Sequence, residues 1–276
     1  MKEYLAKLVP EPARPFAQAL YWRMVARPSV SALSTEQYAS LRALKCCVSY
    51  NKYGGYCVPE SSSHRPAAQA ILSKTVYEPR TIEFMTARCG DGDIVHAGTY
   101  FGDFLPALSK ACASDRKVWA FEPNNENFRC ANITLLINDI HNVELMNAGL
   151  GERVETLTMG TVDANGEALG GGSRVVSQPS DSSKGLQSVE IFPIDNVVPQ
   201  DRHVSIVQLD VEGYEEKALR GAIKTIRRCL PILILEDWPG SNLVESKWFS
   251  ENLSPLRYTA VDQIHGNIVL NPNKQR

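Results

Sequence analysis

Carboxylate side chains end three separate apolar runs of this 276-residue sequence. In chain order they are Glu122, Asp210 with Glu212, and Glu236 with Asp237. Side chains alternate between the two faces of a strand, so the run 206–209 would deliver Asp210 and Glu212 to the same face of a strand end. Gly213 then lets the backbone turn into the helix that the following pattern predicts. Carboxylates at strand ends can accept hydrogen bonds from hydroxyl groups, bind a cation or take up a proton.

The elements that position these groups alternate regularly from residue 81 onward. Apolar runs typical of strands, most of them followed by helical patterns, occur at 94–97, 118–121, 143–146, 206–209 and 231–235. Successive βα units predict a parallel sheet with right-handed crossovers. The runs 258–261 and 267–270 predict an antiparallel hairpin at the carboxyl end. The sequence therefore predicts an α/β fold, and ligands of such a sheet bind at the carboxyl ends of its strands.

Residues 1–80 read differently, because prolines and glycines interrupt short helical patterns. We predict a helical accessory extension or lid over 1–80 and the α/β domain over 81–276. The aromatic segment 16–25 is expected to pack on the core or on a second subunit, which leaves a homo-oligomer open, and a membrane-surface helix is the alternative. The polar stretch 160–185 predicts a long loop, either mobile over the active site or disordered.

Composition excludes several classes of protein. With 29 basic and 31 acidic residues, the chain lacks the basic field that nucleic-acid binding requires. No apolar run in the first thirty residues is long enough for a signal peptide or a membrane-spanning helix. The seven cysteines include no C-x-x-C pair, which favours reduced thiols and a cytoplasmic location.

The glycine-flanked turn 98–102 and the acid Glu122 indicate which cofactor binds. Gly98 and Gly102 flank the turn after the predicted strand 94–97, where small residues let the backbone approach a ligand. Glu122, at the end of the next strand, suits a ribose because a carboxylate can accept hydrogen bonds from both vicinal hydroxyls. A dinucleotide pyrophosphate requires G-x-G-x-x-G, and this turn lacks the middle glycine. S-adenosylmethionine carries no phosphate and is therefore favoured over a nicotinamide cofactor.

The runs DIVHAGTYFGDF, VWAFEPNNENF, NVELMNAGLGE, SIVQLDVEGYEEKALRGA and PILILED, in this order, resemble the FkbM family of S-adenosylmethionine-dependent methyltransferases. The resemblance covers about 92–271, and its most specific element is the run 210–215. It implies a Rossmann-like class I methyltransferase fold that methylates hydroxyls of sugars or other small metabolites. In this family the first strand more often ends in Asp-Ile-Gly, whereas this sequence has His96-Ala97-Gly98.

The resemblance also implies roles for individual residues. Gly98 and Gly102 would form the cofactor turn, and Glu122 would bind the ribose. Tyr100, which lies within the turn and is also expected to contact the cofactor, replaces the small or polar residue usual in the family. Asn147 and Ala148 would lie at the edge of the adenine. Asp210 would face both the cofactor and the chemistry.

Two forms of catalysis remain open for transfer to a hydroxyl. A general base could remove the proton, and His265 or His64 are candidates because imidazole titrates near neutral pH. Alternatively, Asp210, Glu236 and Asp237 could bind Mg²⁺, because carboxylates this close repel one another unless a cation lies between them. Glu212 is expected to organise the loop rather than to react.

The sequence thus predicts a methyltransferase that uses S-adenosylmethionine to O-methylate a sugar-like or other small-molecule acceptor. An NAD(P)-dependent oxidoreductase and a non-catalytic nucleoside-binding Rossmann module are the alternatives. Neither a nucleic-acid partner nor a membrane-spanning segment is expected.

Overall fold

The computed structural model describes residues 43–113, 115–176, 185–237 and 242–272. Contacts between residues divide the chain into the units Met1–Leu44 and Lys45–Arg276. The predictions for segment 16–25 and for helices before residue 43 lie outside the described residues. In the described part of the predicted helical extension, strands at Cys46–Tyr50 and Gly55–Pro59 precede the helix Pro66–Leu72, so this part is not purely helical. The proposed domain boundary at residue 80 stays a prediction.

In chain order the strands are β1 (Cys46–Tyr50), β2 (Gly55–Pro59), β3 (Asp93–Ala97), β4 (Val118–Phe121), β5 (Val143–Met146), β6 (Gly149–Leu150), β7 (Glu155–Gly160), β8 (Arg174–Val175), β9 (Leu186–Phe192), β10 (Val204–Leu209), β11 (Ile232–Glu236), β12 (Tyr258–Ile264) and β13 (Asn267–Pro272). The α-helices are α1 (Pro66–Leu72), α2 (Pro79–Arg88), α3 (Leu105–Ala111), α4 (Asn125–Ile137), α5 (Ile194–Val197), α6 (Glu215–Arg220), α7 (Ile223–Cys229) and α8 (Lys247–Asn252). Short 3₁₀ turns cover Glu60–Ser62, Gly170–Gly172, Leu243–Glu245 and Ser254–Leu256.

Seven strands form the central sheet, in the order β12-β13-β11-β10-β3-β4-β5. The four inner pairings, among the five strands from β11 to β5, are parallel, whereas β13 runs antiparallel to both β11 and β12. The chain proceeds from β3 towards one edge through β4 and β5, and later from β10 towards the other edge. The junction between β3 and β10 is therefore the topological switch point, where ligands of open α/β sheets bind.

Alternating side chains of the parallel strands supply two separate cores. Val95, Val207 and Leu233 belong to the core on one face, which also contains residues of α6, α7 and α8. Ile94, Ile206 and Ile234 belong to the core on the opposite face, which contains residues of α2, α3 and α4. Both faces of the sheet are covered, as expected of parallel strands that are apolar throughout.

The segment from β6 to β9 forms a second sheet, in the order β6-β9-β7-β8. The region expected to be a loop over 160–185 lies between β7 and β9, and among its described residues only Gly160 and the two residues of β8 belong to strands of this sheet. The 3₁₀ turn Gly170–Gly172 and β8 show that part of this region is ordered, and residues 177–184 lie outside the described residues.

The hairpin of β1 and β2 packs against α4. The backbone amide of Cys57 donates to Thr134 Oγ1 at 3.0 Å, and the backbone amide of Gly55 donates to Asn138 Oδ1 at 2.9 Å. Ser61 Oγ also donates to Glu126 Oε2 at 2.6 Å, in the first turn of α4, so the residues just before α1 lie beside the carboxyl edge of the central sheet. Among the described helices, none has the length and apolar character needed to cross a membrane.

Candidate active site

Gly98 and Asp210 meet at the switch point. The backbone amide of Asp210 donates to the carbonyl of Ala97 at 3.2 Å. Gly98 has a φ of +82°, and a Cβ built on it would lie 1.9 Å from the carbonyl oxygen of Asp210. Only a residue without a side chain fits this contact, so the predicted cofactor turn is fixed against the end of β10 by backbone packing.

Glu122 joins the turn to the start of α4. Its Oε2 accepts from the backbone amide of Tyr100 at 2.7 Å, and its Oε1 accepts from the backbone amide of Asn124 at 2.8 Å. Asn127 Nδ2 also donates to Oε1, at 3.4 Å. A carboxylate offers about four acceptor positions, so about one position, on Oε2, is left for a ligand. Burial raises the pKa of Glu122 to about 8.

The two residues predicted at the adenine edge differ in their placement. Ala148 is buried and lines a cavity beside Glu122. Asn147 instead donates from Nδ2 to the carbonyls of Glu122 and Pro123, at 2.9 and 3.1 Å. The Asn147 side chain therefore fixes the backbone just after β4. Asn147 does not line this cavity.

Tyr100 connects the turn to the region before α1. Its hydroxyl donates to Ser62 Oγ at 2.6 Å, and the ring is only 5% exposed. Gly170 and Gly171 pack on the same ring, because a Cβ on Gly170 would lie 2.6 Å from the Tyr100 hydroxyl. The segments around 62 and 170 are therefore both held over the predicted cofactor turn.

Two cavities meet at the switch point. The first, called here the apolar cavity, is lined by Phe121, Glu122, Ala148, Leu150 and Ile191 among others. The second, the acidic cavity, has a volume of about 280 Å³ and lies towards α2 and the β12–β13 turn. Both cavities are lined by Gly98, Gly171, Asp210 and Glu212.

Six carboxylate side chains line the acidic cavity. They are Glu78, Asp103, Asp210, Glu212, Glu236 and Asp237. Burial raises the pKa of Asp103 to about 7. Burial, and then the negative charge of neighbouring carboxylates, raises the pKa of both Asp210 and Glu236, whose oxygens lie within 4.8 Å of each other. This pair therefore shares a proton unless a cation is present.

The structure groups the acids of the predicted metal site differently. Oxygen atoms of Asp210, Glu212 and Glu236 all lie within 4.8 Å of one another. Asp237 lies outside this cluster, and Gln263 Nε2 donates to it at 3.5 Å. Glu236 Oε2 is buried and has no hydrogen-bond partner within the described residues.

The predicted role of Glu212 as organiser of the loop was wrong, because Glu215 has this role. Glu215 is buried, and its Oε1 accepts from the backbone amides of Val211 and Gly213 at 3.1 and 3.3 Å. Glu215 lies in the first turn of α6, so it reaches back to the amides just before its own helix. Glu212 is thereby free to face the cavity.

Backbone strain is concentrated around the acidic cavity. Glu78, Tyr100, Glu212 and His265 line it, and all four have φ values between +45° and +55°. Such left-handed residues cost energy and persist where the surrounding structure holds them, most often at functional sites. Their common location supports a functional role for this cavity.

The histidines named from the sequence have different surroundings. His265 lines the acidic cavity but is exposed, and its Nε2 accepts from the backbone amide of Arg80 at 3.3 Å. His64 is exposed and does not line either cavity. Sequence reasoning missed His96, which lines the acidic cavity. A polar residue within the apolar run of β3 was the signal that could have identified it.

The strand order, the switch point and the acid at the end of β4 define a Rossmann-like α/β methyltransferase fold. The family model for the methyltransferase FkbM domain matches residues 96–251, which is more than half of the chain. The protein belongs to the FkbM methyltransferase family. Comparison with curated proteins gave no match.

Solved structures of methyltransferases are similar to this chain. The methyltransferase FkbM from Methylobacillus flagellatus KT is 17% identical, with a TM-score of 0.43 over 65% of this chain and 43% of that one. A SAM-dependent methyltransferase from Aquifex aeolicus is 13% identical, with a TM-score of 0.38 over 71% and 90%. An rRNA methylase from Streptococcus thermophilus is 14% identical, with a TM-score of 0.41 over 71% and 95%. The chain thus spans less than half the length of the Methylobacillus protein.

Proposed function

We propose that this protein transfers a methyl group from S-adenosylmethionine to a hydroxyl of a small polyhydroxylated acceptor such as a sugar. The observation that carries the proposal is the meeting of the apolar and acidic cavities at Gly98 and Asp210. A nucleoside would occupy the apolar cavity, and the acceptor would enter the acidic one. The methyl group would then lie at their junction.

The residues of the apolar cavity fit the adenosine part of the cofactor. Phe121, Leu150 and Ile191 offer apolar surface for a purine, and Glu122 Oε2 has about one acceptor position left for a ribose hydroxyl. S-adenosylmethionine supplies a methyl group on a positively charged sulfur, and the carboxylate of Asp210 at the junction suits that charge. The backbone of Gly98 and Asp210 sets the distance between the two cavities.

The lining of the acidic cavity supports a hydroxyl-rich acceptor. Ionised carboxylates only accept hydrogen bonds, so a ligand that presents many donors would satisfy them. Vicinal hydroxyls of a sugar provide such donors without a net charge. Arg65, which also lines the cavity, could bind an acceptor oxygen.

A divalent cation is a second element of the proposal, supported by the cluster of Asp210, Glu212 and Glu236. Three carboxylates at an open site suit Mg²⁺, which would lower the pKa of an acceptor hydroxyl. Activity that survives EDTA in full would reject this element. Calorimetric Mg²⁺ binding should be weakened by Glu212→Gln and unchanged by Asp237→Asn, the matched control outside the cluster.

Calorimetric titration with S-adenosylhomocysteine and with NADH tests the cofactor. We expect binding of S-adenosylhomocysteine in the micromolar range or tighter and none of NADH. The opposite result would support the oxidoreductase, and nucleoside binding without methyl transfer to any acceptor would support the non-catalytic module. Transfer of a labelled methyl group to amines but not to methyl glycosides would overturn the hydroxyl acceptor.

We also propose a cellular location for the protein. All seven cysteines are free thiols, which supports a reducing compartment such as the cytoplasm. A homo-oligomer is open, and nucleic acid stays disfavoured by the net charge of −2.

A further inference from the structure

A buried imidazole lines the acidic cavity and has no role in the function proposed above. His96 is 2% exposed and lies on β3, two residues before Gly98. Its Nδ1 contacts Gln208 Oε1, whereas its Nε2 is buried and has no partner within the described residues. A buried polar atom without a hydrogen-bond partner destabilises the folded protein, so its persistence requires an explanation.

The contact with Gln208 determines which ring nitrogen carries the hydrogen. An amide oxygen only accepts hydrogen bonds, so Nδ1 must be the donor. In the neutral ring Nε2 is then a bare acceptor. Burial lowers the pKa of His96 to about 4, so the ring is neutral at physiological pH.

The ring is also fixed in position. Phe104 stacks on it, with the ring centroids 5.3 Å apart and the planes at 7°. His96 is opposite Gln208 in the parallel register of β3 and β10, and Asp210 follows Gln208 by two residues. His96 and Gln208 both line the acidic cavity, which Gly98 and Asp210 also line. The imidazole is therefore held in the space assigned to the acceptor.

We propose that His96 Nε2 accepts the hydrogen bond of the acceptor hydroxyl and receives its proton during methyl transfer. This inference rests on the proposed function, whose cofactor test is independent of it. As the acceptor oxygen bonds to the methyl carbon, the carbon–sulfur bond breaks and its electron pair stays on sulfur. The hydroxyl proton moves to Nε2, and the imidazolium later releases it to solvent.

A weakly basic imidazole is sufficient for this step. The hydroxyl proton becomes strongly acidic as the oxygen forms its bond to carbon, so a late proton transfer needs no strong base. A neutral ring also avoids placing a second positive charge beside the sulfonium. Gln208 suits this role because it holds the tautomer without adding a charge.

The test is ¹⁵N NMR of histidine-labelled protein saturated with S-adenosylhomocysteine, with glycerol at molar concentration as the hydroxyl probe. The resonances of His96 are assigned by their loss in His96→Asn, whose amide can still donate to Gln208. We expect an Nδ1–H tautomer at pH 7 and a shift of the Nε2 resonance when glycerol is added. The exposed rings of His141 and His203 serve as controls and should shift less.

An Nε2–H tautomer, or an Nε2 resonance that does not shift when glycerol is added, would overturn the proposal. A second variant, Gln208→Glu, places a carboxylate on Nδ1 and should convert the ring to imidazolium at pH 7. Calorimetry on the same samples tests the proposed function separately from the role of His96. If the wild type fails to bind S-adenosylhomocysteine, the proposed function fails; if His96→Asn binds it within about twofold of the wild type, the NMR result concerns the acceptor side alone.

Discussion

Gly98 and Asp210 are packed so closely that a methyl group on Gly98 would lie 1.9 Å from the carbonyl oxygen of Asp210. This contact joins the ends of β3 and β10 at the switch point, where the two cavities meet. It explains why the turn begins with glycine, even in a chain whose preceding residues differ from those usual in the family.

Gly98→Ala is expected to displace the end of β10 and to weaken S-adenosylhomocysteine binding at least tenfold, as measured by calorimetry. Gly166→Ala is the matched control, because Gly166 has almost the same φ of +83° but no atom within 4 Å of its Cβ position. Both variants incur the left-handed penalty of about 1 kcal/mol, and only Gly98→Ala adds the collision. Equal binding by the two variants would show that the contact is not needed.

Glu122→Ala removes the acceptor of two backbone amides and of any ribose hydroxyl. Removing the buried partner of these donors costs about 1–3 kcal/mol, so the Kd for S-adenosylhomocysteine should rise by about 5- to 150-fold. Glu144→Ala is the control, because Glu144 pairs with Lys117, just before the neighbouring strand β4, and does not line either cavity. An unchanged affinity in Glu122→Ala would remove Glu122 from the site.

Asp210→Asn should change how stability depends on pH. The folded-state pKa of Asp210 is raised to about 8, so the folded protein binds more protons than the unfolded chain between pH 4 and 8. The free energy of unfolding of the ligand-free wild type therefore falls as pH rises through this range. We expect the variant to have the higher Tm at pH 8.5, by about 3 °C or more, and a smaller advantage at pH 5.5.

Glu251→Gln, at an exposed surface carboxylate, should follow the wild-type pH dependence and serves as the control for Asp210→Asn. Thermal unfolding in metal-free buffer provides the measurement. A wild-type Tm that rises between pH 6 and 8.5, with no difference in Asp210→Asn, would contradict the raised pKa.

Tyr100→Phe removes the hydroxyl that donates to Ser62 Oγ. Because both groups are buried, we expect a loss of about 1–3 kcal/mol in the free energy of unfolding and a weaker hold on the segment around residue 62. Urea denaturation measures the first effect, and hydrogen exchange at residues 60–65 measures the second. Tyr50→Phe, on a ring that is 61% exposed, should change neither.

Glu215→Gln tests the organiser of the 211–213 loop. The neutral amide accepts more weakly from the two backbone amides, so stability should fall by about 1 kcal/mol or more. Glu216→Gln alters the half-buried pair with Arg220, which lies one turn along α6, and should cost less than about 0.5 kcal/mol. Comparable losses in the two variants would contradict the role of Glu215.

Local patterns in the sequence were sufficient to predict most of the sheet. Apolar runs of four or five residues that end in an acid or glycine match β3, β4, β10 and β11 closely, because buried parallel strands need apolar residues on both faces. The same patterns placed Glu122 and Asp210 at the carboxyl edge, since the direction of a parallel strand fixes which end meets the ligand.

Tertiary structure decided that Glu212, and not Asp237, joins Asp210 and Glu236 in the cluster. The strained backbone of Glu212, with φ of +55°, and the capture of the loop amides by Glu215 bring Glu212 to Asp210 and Glu236. Strand periodicity cannot predict a left-handed residue beyond the strand end. The sequence therefore predicted Asp237, rather than Glu212, as the third acid of the metal site.

The surroundings of His96 also could not be predicted from local sequence. Its position in β3 could be read from the sequence, but its partner Gln208 lies 112 residues away and becomes adjacent only through the parallel register of β3 and β10. By itself, then, the sequence determined where most strands of the central sheet lie along the chain, the class of the fold and the edge that carries the acids. Long-range packing decided which side chains face the acidic cavity, because that depends on register and on the few backbone positions held outside ordinary strand geometry.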